Sequence, residues 1–324
     1  MTAFEALLKP VRGAAGGRPR FDVRKNILYI GFVVLFVVFA ITLGDQGFTS
    51  SNNLLNIIRQ TATISVMAVA VTFVIGAAEI DLSVGSVAGL ASVICAMALD
   101  SFGLVGGIAA GLLIGAVVGA INGGLVVGLG IPSFLVTLGM LGIAHGTAQW
   151  ITNSAPQPIL DDTFNNLFGT GDLGPIPSLV IWTAVAVAIG HLFLRRTAYG
   201  RGVLATGSNE EAARFSGVPT RRIKFTVMMI SAMVAAIAGM LYAGRLQSGR
   251  FQWGEGDELS VIAAVILGGT SLFGGRASVI GALLGSLMIG LINNGLILMG
   301  LEFSQQQIVR GVIIILAVAL ATRD

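Results

Sequence analysis

The sequence predicts an all-α, polytopic membrane protein with about ten transmembrane helices and one short cytoplasmic helix. Of its 324 residues, 55% are hydrophobic and only 11% are charged, whereas soluble domains contain about 25% charged residues. The apolar residues form runs close to the length of about 20 residues that crosses a bilayer core. The 45 glycines amount to roughly twice the average usage, and small residues let transmembrane helices pack closely.

Ten apolar runs are the candidate transmembrane segments. They are 26–44, 54–77, 83–99, 103–127, 132–152, 178–194, 224–243, 258–275, 277–299 and 305–321. The first run follows a basic segment, but it is longer than the apolar region of a secretory signal, which has about 7–15 residues. We therefore interpret it as a retained helix.

The distribution of Lys and Arg predicts the orientation of these segments. Most of the 19 basic residues fall in the tail 1–25 and around the loop 195–223, and such residues mark cytoplasmic regions. Acidic residues, among them Asp257 and Glu258, fall in the predicted outside loops, the largest of which is a periplasmic loop over 153–177. The sequence therefore predicts a cytoplasmic tail over 1–25, a lipid-embedded domain over 26–324 and cytoplasmic termini.

Residues suited to catalysis or metal binding are few and scattered. The chain has one cysteine, Cys95, and two histidines, His145 and His191, which offer neither a nucleophile–base pair nor a metal cluster. None of the lysines follows the glycine-rich pattern of a phosphate-binding loop. We therefore expect no enzyme activity, no cofactor or metal in this chain and no nucleic-acid partner.

A compact helix signal lies in the basic loop 195–223. Ser208 is a suitable N-cap residue, and Glu211 follows three residues later, as in a capping box. Gly217 suits the left-handed position after a helix, and Pro219 prevents its continuation. The pattern predicts an isolated helix of about eight residues, which is marginal alone and needs a surface to hold it.

Several segments, in this order and at this spacing, resemble the ribose/xylose/arabinose class of ABC transporter permeases over nearly the whole chain. They are Glu79-Ile-Asp-Leu-Ser-Val-Gly-Ser86, Ile131-Pro-Ser-Phe-Leu-Val-Thr-Leu-Gly139, Gly207-Ser-Asn-Glu-Glu-Ala-Ala-Arg-Phe-Ser-Gly217, Glu258-Leu-Ser-Val-Ile-Ala-Ala-Val-Ile-Leu-Gly-Gly-Thr-Ser-Leu-Phe-Gly-Gly275, Asn293-Asn-Gly-Leu296 and Gln307-Ile-Val-Arg-Gly311. The chain departs from the class at Ala78-Glu79, where the class usually has Gly-Gly or Ser-Gly.

The resemblance implies a permease subunit of a bacterial inner membrane that imports a small sugar together with partner chains. Two permease copies, identical or paralogous, would form the pore, and a periplasmic sugar-binding protein would deliver the substrate. ATP and Mg²⁺ would bind to a separate ATPase subunit. The short helix would dock on that ATPase as a coupling helix through Glu210, Glu211, Ala212, Ala213, Arg214 and Gly217.

Polar residues within the apolar runs are the candidates for a translocation pathway, because such residues usually face a bundle interior or a cavity. They are Arg59, Gln60, Asn122, Asn293, Asn294, Gln307 and Arg310. Snorkelling or structural pairing is the alternative for the arginines, and helix–helix hydrogen bonding is the alternative for the asparagines. Asp81 suits a cap of the following helix, with a gating role as the alternative.

Two other functions remain open on the sequence alone. An ion-coupled secondary sugar transporter needs carboxylates within the membrane, and here only Glu79 and Asp81 stand near a predicted helix break. A membrane-embedded enzyme needs a catalytic cluster, which the residue types do not offer. A neighbouring ATPase gene would favour the permease.

Overall fold

The structure, a computed structural model, describes residues 23–321, so the predicted basic tail falls almost wholly outside the described residues. The helices are α1 Val23–Thr42, α2 Ser51–Gly76, α3 Val84–Leu129, α4 Ser133–Ile151, α5 Asp162–Asn165, α6 Ser178–Arg196, α7 Ala198–Ser208, α8 Glu210–Phe215, α9 Thr220–Leu246, α10 Asp257–Leu267, α11 Val279–Leu298 and α12 Phe303–Ala321. Two antiparallel pairs of two-residue strands join β1 Gln157–Pro158 to β4 Ser248–Gly249 and β2 Asp172–Leu173 to β3 Ile176–Pro177.

The helix content confirms an all-α, multi-pass membrane protein. Among the described residues, six helices are long and apolar enough to cross a membrane, namely α2, α3, α4, α6, α9 and α11. The count of about ten is not confirmed. The predicted segment 258–275 is not a continuous helix, because α10 ends at Leu267 and Gly269, Gly274 and Gly275 have positive φ angles, which a right-handed helix excludes.

Helix α3 is a hairpin of two helical arms. Gly103 has φ 68° and ψ −171°, values far from those of an α-helix. A Cβ added at Gly111 in the second arm would lie 3.3 Å from the Cβ of Cys95 in the first arm. The arms therefore fold back on each other at Gly103, which explains why the sequence shows two apolar runs, 83–99 and 103–127, within one helical stretch.

A stripe of glycines lets the second arm of α3 pack closely on α9. The stripe consists of Gly111, Gly115, Gly119 and Gly123, and a spacing of four residues puts these positions on one face of a helix. Gly107 continues the spacing but faces Leu99 of the first arm. A Cβ at Gly119 would lie 2.8 Å from the Cα of Met229, and one at Gly115 would lie 2.8 Å from the carbonyl oxygen of Ala232. These glycines therefore allow the close packing of transmembrane helices that the composition predicts.

The centre of the bundle is formed by α2 and the first arm of α3. Residues are buried almost without interruption over 61–76 and 84–93, as expected of helices surrounded by other helices. Helix α9 packs against α2 and α3, α11 packs against α2 and α10, and α1 packs against α11. We call the end of the bundle that carries α8 the α8 end. The end where residues 152–177 and 247–256 meet through β1 and β4 is the loop end.

Candidate functional site: the short helix and the broken-helix segment

Helix α8 is capped at both ends by its own loop. Asn209, rather than the predicted Ser208, is the N-cap residue, and its Oδ1 accepts a hydrogen bond of 2.9 Å from Ala212 N–H. Ser208 is the last residue of α7, so the expected capping box with Glu211 does not form and the helix has six residues. At the other end, Gly217 has the predicted left-handed conformation, φ 83°, and Val218 N–H donates to Ala213 O at 3.0 Å.

One face of α8 is open to the surroundings. Ala213 is buried against the rest of the chain, whereas Glu211, Ala212 and Arg214 are exposed. Phe215 is 80% exposed, and the Arg214 guanidinium lies 5.9 Å from the centroid of its ring. An exposed aromatic ring on a polar loop marks a surface suited to a protein partner. Our sequence prediction did not include Phe215, although an aromatic residue within a charged loop was the available signal.

An ion triad connects α8 to the segment 77–83, which separates α2 from α3. The ammonium group of Lys224, in the first turns of α9, lies 2.6 Å from Glu210 Oε2 in α8 and 2.7 Å from Glu79 Oε1 in the segment. The Glu79 side chain is only 8% exposed, whereas that of Glu210 is 45% exposed. Lys224 is thus the counterion of the carboxylate at which the chain departs from the class pattern.

The segment 77–83, which we call the broken-helix segment, is held by side chains of neighbouring helices. Ile80 N–H donates to Ser133 Oγ and Leu82 N–H donates to Thr137 Oγ1, both at 3.0 Å. These bonds matter because a non-helical backbone within a membrane protein needs partners for its polar groups. Ser133 and Thr137 belong to the first turns of α4, so α4 fixes the path of this segment.

The fully buried Asp81 does not cap α3 as the sequence suggests, because the N-cap residue is Ser83 and Asp81 bonds to Ser83 rather than to a helical N–H. Its Oδ1 accepts hydrogen bonds from Ser83 N–H at 2.8 Å and from the Ser83 hydroxyl at 2.6 Å. The side chain of Asn122, also fully buried, donates to Ser83 Oγ at 3.1 Å. Asn122 thus bonds the second arm of α3 to the broken-helix segment, which is the helix–helix bonding given above as its alternative role.

Residues 250–256 return from the loop end into the bundle and meet α3 well inside it. The backbone of Gly239 in α9 packs on Ala88, and Gly254 packs on Gly85, one turn further from the loop end. Counting along α9 from Leu246 at 1.5 Å per residue, the Gly85–Gly254 contact lies about 15 Å inside the bundle. Residues 250–256 therefore dip inwards from the loop end before α10 begins.

The start of α10 corrects the placement of two acidic residues. Asp257 and Glu258 were expected in an outside loop, but they form the first turn of α10 inside the bundle. Asp257 accepts a hydrogen bond from the Tyr242 hydroxyl, and the Glu258 carboxylate lies beside Gly85 in the first turn of α3. A carboxylate beside a helix N-terminus is favourable. The sequence did not predict this position, because residues 250–256 return into the bundle through contacts with distant residues.

The remaining pathway candidates do not converge on one site. Arg59 pairs with Asp172 of the loop end, with 3.1 Å between Nη2 and Oδ1. Asn294 and Asn53 exchange two side-chain hydrogen bonds of 2.8 and 3.0 Å between α11 and α2. Gln60 and Asn293 are half-buried and Gln307 is exposed, while Arg310 lies in α12 with its side chain outside the described part of the chain. Their roles in a pathway stay predictions.

A cleft with a volume of about 350 Å³ opens beside the ion triad. Its lining includes Glu79, Glu210 and Lys224 of the triad, the arginines Arg214 and Arg221, and the turn between α3 and α4. Arg221 donates to Val127 O at 2.7 Å and so ties α9 to the end of α3. The cleft thus lies where α3, α8 and α9 meet the broken-helix segment. Over residues 23–321, no group of three His, Cys, Asp or Glu side chains is placed to hold a metal ion.

Comparison with known proteins decides the family. A family model described as the permease component of a branched-chain amino acid transport system matches residues 53–318. This chain belongs to that family of transport permeases. This match, together with relatives named as ribose and L-arabinose permeases, confirms the resemblance predicted from the segments around Glu79, Gly207 and Glu258. No solved structure matches the chain.

Three curated relatives show which transport permeases this chain is similar to. It is 42% identical to the probable ABC transporter permease protein YphD of Escherichia coli K12, over 91% of this chain and 90% of the relative. It is 37% identical to the ribose import permease protein RbsC of Bacillus subtilis, over 90% and 91% of the two chains. It is 36% identical to the L-arabinose ABC transporter permease protein AraH of Azospirillum brasilense, over 97% and 91%.

Proposed function

We propose that this permease is the membrane-spanning subunit of a binding-protein-dependent ABC importer for a small sugar in a bacterial inner membrane. The relatives named for ribose and L-arabinose support the substrate class. ATP and Mg²⁺ bind to a separate ATPase subunit, and a periplasmic binding protein delivers the sugar. A second permease copy, identical or paralogous, completes the pore.

The single observation that carries this proposal is the exposed face of α8. A six-residue helix with caps at both ends keeps a defined shape, and the exposed Phe215 offers an apolar contact to a partner. Arg195, Arg196, Arg201 and Arg222 lie at the same end, which the positive-inside rule assigns to the cytoplasm. The ATPase acts in the cytoplasm, and we infer that it docks on the exposed Glu210, Glu211, Ala212, Arg214 and Gly217, while the buried Ala213 holds α8 against the rest of the chain.

Transport in proteoliposomes tests this function. The permease is reconstituted with its ATPase, and ribose, L-arabinose or xylose is offered together with the binding protein. We expect sugar uptake that requires ATP, the ATPase and the binding protein. Absence of ATP-driven uptake of every sugar, in vesicles where the ATPase is shown to be bound, would contradict the proposal.

An ion-coupled secondary transporter is the second candidate, favoured by the carboxylates inside the bundle. The structure adds Asp257 and Glu258 of α10 to Asp81 of the broken-helix segment. Such carboxylates are the groups that ion-coupled carriers use. The same proteoliposomes decide between the two functions, because an imposed proton or sodium gradient without ATPase drives uptake only in a secondary transporter.

A further inference from the structure

We propose that Lys224 is a positioning residue that passes a displacement of α8 to the broken-helix segment; this inference rests on the proposed function. Its ammonium group contacts a carboxylate of each element, at 2.6 Å from Glu210 and 2.7 Å from Glu79. Lys224 itself belongs to α9, which packs on α2 and α3. A shift of α8 relative to α9 therefore acts on the same ammonium group that fixes Glu79.

The two contacts of Lys224 differ in how easily they break. Glu79 is nearly buried, and a buried carboxylate that loses its counterion is strongly destabilised. Glu210 is 45% exposed, and an exposed ion pair contributes little because water and salt screen it. When a partner displaces α8, the Glu210 contact therefore breaks first and Lys224 stays with Glu79.

The release of Glu210 changes the charge balance around the broken-helix segment. While Lys224 binds both carboxylates, one positive charge is paired with two negative charges. Once Glu210 leaves, its repulsion of Glu79 is lost and the ammonium group keeps Glu79 as its carboxylate partner; Glu79 lies two residues before Asp81. Because Glu79, Glu210 and Lys224 all line the 350 Å³ cleft, the same step alters the wall of that cleft.

The test compares coupling with stability in the complete importer. We expect Lys224→Met to raise the number of ATP molecules hydrolysed per imported sugar about tenfold, within the range of coupling between sites. Lys224→Arg keeps a cation for both carboxylates and should preserve the wild-type ratio. Arg222→Met, which removes a positive charge from an exposed position at the same end, is the matched control and should leave the ratio unchanged.

A double variant separates positioning from simple neutralisation of a buried charge. In Glu79→Gln with Lys224→Met, the buried carboxylate and its counterion are both absent, so the melting temperature in detergent should return towards that of the wild type. We expect the ratio of ATP to sugar to stay high, because the link between α8 and the segment is still missing.

Recovery of both the melting temperature and the ratio in the double variant would overturn the inference, as would a normal ratio in Lys224→Met. Failure of the proposed function is recognised separately, because the wild-type importer would then show no ATP-driven uptake. In that case a melting temperature of Glu79→Gln with Lys224→Met equal to that of Lys224→Met alone would also count against the ion pair.

Discussion

Replacing Gly217 with valine is expected to reduce ATP-driven sugar uptake about tenfold. Gly217 has φ 83°, and a β-branched residue held in this left-handed region is strained by about 1–3 kcal/mol. Helix α8 has only six residues, and so short a helix has little stability to lose. The strain should unwind its last turn, and less ATPase should co-purify with the permease.

Gly217→Asn is the matched control for this prediction. Asparagine tolerates the left-handed conformation, and no atom lies within 4 Å of a Cβ added at this position, so the Cβ of either variant meets no steric obstacle. Uptake by the asparagine variant should stay close to that of the wild type. Equal uptake by the valine and asparagine variants would show that the geometry of α8 does not matter for transport.

Gly119→Leu should strongly destabilise the bundle, by about 3 kcal/mol, because of overpacking. The added side chain meets the backbone of α9, since even a Cβ would lie 2.8 Å from the Cα of Met229. Backbone atoms of a packed helix cannot move aside as a flexible side chain does. We expect a strongly lowered melting temperature in detergent and a low yield in the membrane.

Gly124→Leu provides the comparison on the same arm of α3. Gly124 is exposed, and nothing lies within 4 Å of a Cβ added there. Leucine also favours a helix over glycine by about 1 kcal/mol, so this variant should be neutral or slightly stabilising. A similar loss of stability in both variants would mean that the glycine stripe is not the contact that holds α3 against α9.

The local parts of the fold could be predicted from the sequence because each depends on nearby residues. The apolar run 178–194 predicts α6 Ser178–Arg196 to within two residues, since its polar flanks mark both ends. The left-handed conformation of Gly217 was also predictable, because glycine is favoured in this position just after a helix. The N-cap was not, because Ser208 and Asn209 are both good capping residues and only the tertiary contacts of α7 decide between them.

The parts of the fold that depend on contacts between distant residues could not be predicted. The apolar run that begins at 258 predicts a longer helix, but α10 ends at Leu267, and Gly269, Gly274 and Gly275 after it adopt positive φ angles. The Glu79–Lys224 pair joins positions far apart in the chain, and no periodicity reports such a contact. The unusual charge at Glu79 was visible in the sequence, but its partner was not.

Cross-linking from α8 tests most directly whether this chain binds an ATPase subunit through α8. A benzophenone probe is attached to Ala212→Cys, on the exposed face of α8, in a Cys95→Ala background, and the complete importer is irradiated. The comparison is Phe102→Cys, an exposed position at the hairpin of α3 near Gly103. The account predicts a cross-link to the ATPase from residue 212 and none from residue 102. A cross-link from residue 212 to the sugar-binding protein, or none to the ATPase in a complex that hydrolyses ATP, would contradict it.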